Sequence, residues 1–239
     1  SKSRSWKLKE GVVDSSPLSD TPRPGNAKFK KLTPVDPNST NPYQLTEADR
    51  TVIGNTTPKF SGGFGLNATY KGFDMSMFFN FMYDFDVLNA NKIMLTTWAD
   101  NKENNFLMNI ASDKRWRNFD DMGNEIRYSP EVLAEFNKNA TMWNPTSIGR
   151  PICMSYAVED GSFLRLNSAT LGYTLPSVWT KKVGLSKVRF YVSGNNLFTL
   201  TGYSGYDPEV NIATGLTPNI DYNRYPRSRT YTFGAQLTF

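Results

Sequence analysis

The most regular feature of this 239-residue chain is a set of segments in which larger apolar residues alternate with small or polar ones. Residues 59–70 follow this pattern, and residues 73–83 repeat it after the dipeptide Lys71-Gly72. Alternation with a period of two predicts β-strands, and a dipeptide ending in glycine is typical of a tight hairpin turn. The sequence therefore predicts a long β-hairpin.

Three more strands are predicted at residues 162–175, 187–200 and 230–239, the last being "TYTFGAQLTF". In the first of these, the apolar parity changes near Asn167-Ser168, which predicts a β-bulge. The chain thus has five long strands with alternating connections: short at 71–72 and 176–186, long at 84–161 and 201–228. Transmembrane β-barrels combine short periplasmic turns with long outer loops in this way.

The remaining segments are less regular. Residues 1–58 are rich in Pro, Ser, Asn and Lys and predict irregular structure, with one short strand at 27–32. Within the first long loop, a helix is predicted at 130–137, with Ser129 as its N-cap and Pro130 at its first position. A second helix is predicted around 88–98.

The two faces of the predicted strands differ in chemistry. One face is apolar and aromatic, whereas the other carries Ser, Gly, Asn and Thr with almost no charge. The water-facing side of a soluble sheet normally carries Lys and Glu, so this pattern favours a membrane barrel whose small residues face a crowded lumen. A soluble β-sandwich that binds carbohydrate remains the alternative hypothesis.

The amino-acid composition excludes several classes of function. The chain has no histidine and one cysteine, Cys153, so neither an imidazole-activated nucleophile nor a histidine metal site is available. The formal charge of +5 is concentrated in residues 1–31, a proline-broken segment without a nucleic-acid fold motif. We therefore predict no enzyme, no cofactor, no metal site and no nucleic-acid partner. The sequence is also expected to begin inside a longer natural chain.

Two kinds of loop residue are candidates for chemistry. Asp120-Asp121, Glu159-Asp160 and Asp207-Pro208-Glu209 are acidic clusters, for which incidental loop acidity is favoured over a carboxylate pair or a calcium site. Gly63-Phe64-Gly65 begins a dinucleotide-like fingerprint, but it lies within a predicted strand, where that motif does not function. Four loop aromatics could stack on a ligand or anchor their own loops: Trp98, Trp116, Tyr128 and Trp143.

Four blocks of the sequence resemble one known family. They are "ADRTVIGNTTPKFSGGFGLNATYKGFDMSMFF", "VEDGSFLRLNSATLGYTLP", "VRFYVSGNNLFTLTGYSGYDPEVN" and "YPRSRTYTFGAQLTF". In order and approximate spacing they are similar to the late-barrel region of the SusC/RagA-type TonB-dependent outer-membrane transporters of Bacteroidota. The acidic stretch often found before the first block in this family is replaced here by "TPVDPNSTNPYQLTEADR", so no calcium role carries over.

The resemblance implies an integral outer-membrane barrel of about 22 strands with an internal plug, of which this chain would supply the last five strands. Residues 1–58 would form an extracellular loop region and residues 59–239 the barrel strands with their long loops. Such a transporter imports oligosaccharides or peptides, is driven by the TonB system through parts absent from this chain, and is covered by a SusD-type surface lipoprotein. A SusC-like barrel acting as a structural subunit of an assembly or secretion complex is a further alternative.

Two sets of residues receive roles from this interpretation. The lipid-facing set is Phe73, Met75, Met77, Phe79, Phe81, Tyr231, Phe233 and Leu237. The set expected to form a terminal assembly signal is Tyr231, Phe233, Leu237 and Phe239. The outer edges of the first and last strands are expected to pair with strands outside this sequence, because an unpaired edge in lipid is costly.

Overall fold

The computed structural model describes residues 8–19, 21–97, 106–110, 114–147, 152–210 and 218–239. The chain divides into two compact units, Ser1–Ile53 with Ala90–Ala157 and Gly54–Asn89 with Val158–Phe239. Among the described residues, the strands all lie in the second unit. In chain order they are β1 (Phe60–Tyr70), β2 (Phe73–Tyr83), β3 (Asp86–Asn89), β4 (Val158–Asp160), β5 (Phe163–Thr174), β6 (Lys187–Thr201), β7 (Ile220–Asp221) and β8 (Thr230–Thr238).

The five long strands form one antiparallel sheet in the order β1-β2-β5-β6-β8. The predicted strands are confirmed, and their ends agree to within one residue. Lys71 and Gly72 both have positive φ, 46° and 89°, as the tight turn between β1 and β2 requires. The predicted bulge is also confirmed, because the β2–β5 register shifts where Phe79 pairs with Leu166 and Phe78 pairs with Ser168.

A small sheet lies at the long-loop end of these strands, in the order β4-β3-β7, with β3 and β7 parallel. Next to it lies the apolar core of the second unit, formed by Phe85, Val87, Phe163, Tyr203 and Val210. Within this core, the Tyr203 hydroxyl donates a hydrogen bond of 2.6 Å to Asp221. Burial, followed by that hydrogen bond, raises the pKa of Tyr203 well above its usual value.

The first unit is built from turns and short helices. Its helices are α1 (Ala90–Met94) and α2 (Pro130–Phe136), and the second unit holds α3 (Ser177–Thr180). Single 3-10 turns span Glu47–Asp49, Met108–Ile110, Pro145–Ser147, Ser155–Ala157 and Lys181–Val183. Helix α2 confirms the prediction at 130–137, although the Ser129 side chain makes no capping hydrogen bond.

Two predictions in these irregular segments are wrong. Residues 27–32 form no strand, because the N–H groups of Leu32 and Thr33 donate to the Asp49 carboxylate at 2.8 and 2.7 Å instead of to a neighbouring strand. The helix predicted around 88–98 is limited to α1, since Leu88 belongs to β3 and pairs with Val158 and Ile220.

Candidate functional site

The five-stranded sheet has one continuous apolar face. Its register aligns apolar residues across all five strands, as in the row Ala68, Met75, Leu171, Val192 and Phe233. Stacked rings reinforce these pairs, with centroids 4.9 Å apart for Phe64–Phe79 and 4.4 Å apart for Phe73–Tyr173. The bulge in β5 keeps Leu164 and Leu166 on this face together with Leu171 and Tyr173. We call this surface the apolar face.

The predicted lipid-facing residues all lie on the apolar face. Phe73, Tyr231, Phe233 and Leu237 are exposed, and Met75, Met77, Phe79 and Phe81 are half-buried. The set is therefore available to a surrounding medium, and its contact with lipid stays a prediction. Phe239, the last residue of the predicted assembly signal, is also exposed.

The opposite side of the sheet, here the polar face, carries small uncharged residues in rows such as Asn67, Ser76, Thr170, Ser193 and Thr232. Its few large side chains lie flat over glycines of neighbouring strands. A Cβ on Gly63 would lie 2.8 Å from the Phe78 ring, and one on Gly234 would lie 2.3 Å from the Tyr191 ring. Glycine at these positions allows the close approach that keeps the wall thin.

The polar face also holds the most deeply buried charge of the described residues. Arg165 on β5 is 1% exposed, and its guanidinium donates to Asp207 at 2.5 Å and to Thr199 at 3.1 Å. A second contact of 3.3 Å joins Arg165 to Glu209. Glu209 in turn pairs with Arg227 at 2.6 Å, just before β8. This charge cluster ties both ends of loop 201–228 to the wall of the sheet.

A second ion pair lies on the polar face towards the short-turn end. Arg189 on β6 donates two hydrogen bonds to Asp74 on β2, one of them at 2.9 Å. Its side chain passes over Gly172 on the intervening strand, where a Cβ would lie 2.4 Å from the guanidinium. The charges of Arg189 and Asp74 are thus neutralised by each other within the sheet.

The four loop aromatics occupy different settings. Trp143 donates from its indole nitrogen to the Thr96 carbonyl at 2.9 Å and packs edge-on against Tyr156. Trp116 is half-buried, with its ring against Gly25. Tyr128 is exposed, with Arg127 near its ring. Trp98 lies outside the described residues, and ligand contact by any of the four stays a prediction.

The acidic clusters have structural partners. Asp207 and Glu209 bind Arg165 and Arg227, as described above. Asp120 accepts hydrogen bonds from the backbone and side chain of Asn124 at 2.7 and 2.9 Å, and these bonds lower the pKa of its carboxyl. Within the described ranges, no three acidic or cysteine side chains are grouped as a metal site would require.

The carboxylate of Asp49 holds the backbone of the neighbouring loop through several hydrogen bonds, and sequence analysis did not identify it. It accepts hydrogen bonds from the N–H groups of Leu32, Thr33 and Thr46, and Lys31 lies 3.3 Å away. The backbone hydrogen bond from Thr33 is the largest cause that holds the pKa of Asp49 far below its usual value, against a smaller opposing effect of burial. The Asp-Arg-Thr-Val-Ile-Gly block is thus tied to the preceding loop.

Sequence reasoning also missed the cluster around Arg165. Two signals were visible: the acidic cluster Asp207-Pro208-Glu209, and Arg165 as a charged residue on a strand face that is otherwise mostly uncharged. Nothing in the sequence showed that the two are partners. A cleft of about 270 Å³ lies beside Glu209, lined by Pro58, Met82, Phe85, Pro208 and Asn219 among others. It opens at the long-loop end of the sheet.

The helices of the described residues are all too short or too polar to cross a membrane.

Comparison with known proteins gives a consistent result. No family model matches the chain. It is 34% identical over 236 residues to TonB-dependent receptor P3 of Formosa agariphila, which covers 96% of this chain and 20% of that protein. It is 38% identical over 88 residues to TonB-dependent receptor SusC of Bacteroides thetaiotaomicron, covering 35% of this chain and 8% of SusC.

Solved structures agree with these relatives. The chain superposes on the RagAB peptide transporter with a TM-score of 0.59 and 27% identity, over 77% of this chain and 17% of that one. The present chain spans about a fifth of the length of curated relatives such as P3. These relatives are receptors and transporters, and the match to P3 extends along almost the whole of the present sequence. The predicted resemblance is confirmed: the chain is similar to TonB-dependent receptors, SusC among them, and to the RagAB peptide transporter.

Proposed function

We propose that this chain forms part of the wall of an outer-membrane barrel that imports nutrients with energy from the TonB system. The observation that carries the proposal is the pairing of a continuous apolar face with a face of small polar residues on the same five strands. A barrel strand in a membrane needs this combination, since one side meets lipid and the other meets the lumen.

The chain supplies five strands of a barrel of about 22 in this proposal, and β1 and β8 pair with strands from the rest of the polypeptide. Pairing of both edges leaves no backbone group unsatisfied in lipid. Residues 1–58 and the long loops 84–161 and 201–228 lie outside the cell, and the turns at Gly72 and Pro176 face the periplasm.

The names of the relatives support a proposal for the partners and the cargo. A SusD-type surface lipoprotein covers the outer opening, and the TonB system acts through parts of the protein beyond this chain. The cargo is an oligosaccharide or a peptide, the latter class being the one named for RagAB. Tyr128 is the loop aromatic that we propose contacts cargo, because it is exposed whereas Trp143 is held by Thr96 and Tyr156.

The test compares two neighbouring positions of β2, Met77 on the apolar face and Ser76 on the polar face. Each is changed to cysteine in the full-length protein, in a background where other cysteines, including Cys153, are replaced by serine. In intact outer membranes, we expect a lipid-soluble thiol reagent to label position 77 and a small water-soluble reagent to label position 76.

Labelling of both positions by the water-soluble reagent, with the protein in the soluble fraction, contradicts the proposal and supports a soluble β-sandwich. Correct labelling with no uptake of any oligosaccharide or peptide by cells that carry the protein contradicts the transport role alone.

The cargo role of Tyr128 is tested separately by Tyr128→Ala. We expect uptake to fall several-fold while the amount of protein in the outer membrane stays unchanged. Val132→Ala, an exposed change on the nearby helix α2, is the matched control. Equal uptake by both variants contradicts a contact between Tyr128 and cargo.

A further inference from the structure

The short-turn end of the five-stranded sheet is basic. Residues 70–74 and 173–189 together hold a single carboxylate, Asp74, and it is paired with Arg189. Among the described residues, the four lysines of these segments form no ion pair: Lys71, Lys181, Lys182 and Lys187. We call residues 70–74 and 173–189 the short-turn rim. It carries an uncompensated positive charge.

The turn between β5 and β6 is folded, yet it presents large apolar side chains outwards. Its backbone is held by hydrogen bonds from Trp179 to Pro176 at 2.9 Å and from Leu185 to Thr180 at 3.1 Å, and Thr180 is buried. Val178, Trp179 and Val183 are nevertheless 69%, 59% and 70% exposed. A well-held turn with three exposed apolar side chains marks an interaction surface.

This exposed patch adjoins the apolar face. Helix α3 contacts β6, and Val188, the first residue of β6 on the apolar face, is buried although Phe190 beyond it is exposed. The turn therefore extends the apolar surface past the end of the strands. Tyr70 and Phe73, at the neighbouring turn, add two exposed rings on the same face.

We propose that the short-turn rim binds anionic phospholipid headgroups and fixes the depth of the barrel in the membrane. This inference rests on the proposed function. Tryptophan favours the boundary between acyl chains and headgroups, and lysine can lay its stem along apolar surface while its ammonium reaches a phosphate. Unpaired lysines at a membrane surface attract anionic lipid.

Charge and composition favour lipid over a protein as the occupant. Lysine is depleted in the cores of protein interfaces, whereas a mixture of lysine with tryptophan and valine suits a headgroup region. The long-loop end of the same sheet carries several carboxylates: Asp84, Asp86, Glu159 and Asp160. It also carries positive charges, and three of them are ion-paired: Lys59 with Asp84, Arg165 with Asp207 and Arg227 with Glu209. Among the described lysines of the second unit, those without an ion pair all lie at the end with the short turns.

The first experiment places a photo-crosslinking amino acid, benzoylphenylalanine, at position 179 of the full-length protein in native outer membranes. Position 77 on the apolar face and position 206 in the long loop, where Tyr206 is strongly exposed, serve as controls. We expect phospholipid adducts at positions 179 and 77, detected by mass spectrometry of the crosslinked peptides, and none at position 206.

The control at position 77 distinguishes failure of the lipid-binding rim from failure of the proposed membrane barrel. Lipid adducts at position 77, with only protein adducts or no adducts at position 179, overturn the lipid-binding rim and leave the barrel intact. No lipid adducts at position 77 overturn the proposed function and the rim with it.

The second experiment tests the lysines. Full-length protein is purified from detergent-treated vesicles that contain phosphatidylethanolamine and phosphatidylglycerol in equal parts, and its retained lipid is measured. We expect retained phosphatidylglycerol to be enriched, and K181E/K182E to reduce the enrichment several-fold. K114E/K138E, a matched double charge reversal at two exposed lysines of loop 84–161, should leave the enrichment unchanged. Equal enrichment in both variants overturns the role of the lysines.

Discussion

Two neighbouring rows of the five-stranded sheet share a backbone and differ in every side chain. One row, Ala68, Met75, Leu171, Val192 and Phe233, is wholly apolar, and the next, Asn67, Ser76, Thr170, Ser193 and Thr232, is small and polar. The apolar row is stabilised by contact area alone, which has no preferred direction. The polar face depends on specific pairings and close approaches. The two faces should therefore fail in different ways when they are altered.

The largest effect is expected from a charge on the apolar face of β8. Phe233→Asp should almost abolish the assembled, heat-modifiable form of the full-length protein, because a carboxylate in hydrocarbon is costly and the residue belongs to the predicted assembly signal. Thr232→Asp, on the polar face one residue away, is the control and should assemble. Equal assembly of the two variants would contradict the claim that the apolar face of β8 contacts lipid and the polar face does not.

The buried charge of the polar face should give the next effect. Arg165→Met removes the partner of Asp207 and Glu209, and loss of one member of a buried ion pair costs about 3–5 kcal/mol. Arg227→Met, at the exposed end of the same cluster, should cost about 1 kcal/mol or less. Denaturant unfolding of the full-length variants measures both. A cost at position 165 as small as that at position 227 contradicts the anchoring role of Arg165.

The packing of aromatic rings against glycines on the polar face should give a smaller and more local loss of stability. Gly63→Ala should cost about 1–3 kcal/mol, because its new Cβ would lie 2.8 Å from the Phe78 ring and 2.9 Å from the Phe79 carbonyl. Gly65→Ala lies two residues away on the same face, with its nearest contact at 3.6 Å, and should be tolerated. Thermal stability of the two variants decides whether the thin wall matters.

The smallest effect is expected from a carboxylate that lies on neither face. The pKa of Asp49 is lowered in the folded state, so its contribution to stability is complete above the unfolded value of about 4 and declines as pH falls below it. Wild-type protein should therefore lose stability below about pH 4 more steeply than Asp49→Asn. Parallel unfolding profiles for the two proteins would show that the Asp49 contacts add nothing to stability.

The strands, the hairpin turn and the bulge could be predicted because each depends on local sequence. A period of two fixes which residues share a face, and the parity change at Asn167 fixes the bulge. The cluster around Arg165 could not be predicted, since Asp207 lies 42 residues away and its position depends on the path of a long loop. The same limit explains the strand wrongly expected at 27–32, because its last N–H group, that of Leu32, and the next one, that of Thr33, donate to the distant Asp49.

The bulge has a consequence for how the sequence tolerates length changes. Asn167 is the extra residue of the bulge. Because it is left out of the pairing, the even-numbered apolar residues before it and the odd-numbered ones after it lie on the same face of the sheet. Deletion of this one residue would join Leu166 directly to Ser168, so Ala169, Leu171 and Tyr173 would stay on the apolar face in a strand without a bulge. Elsewhere in β5, insertions and deletions should be accepted only in pairs, whereas the loops on either side carry no such parity.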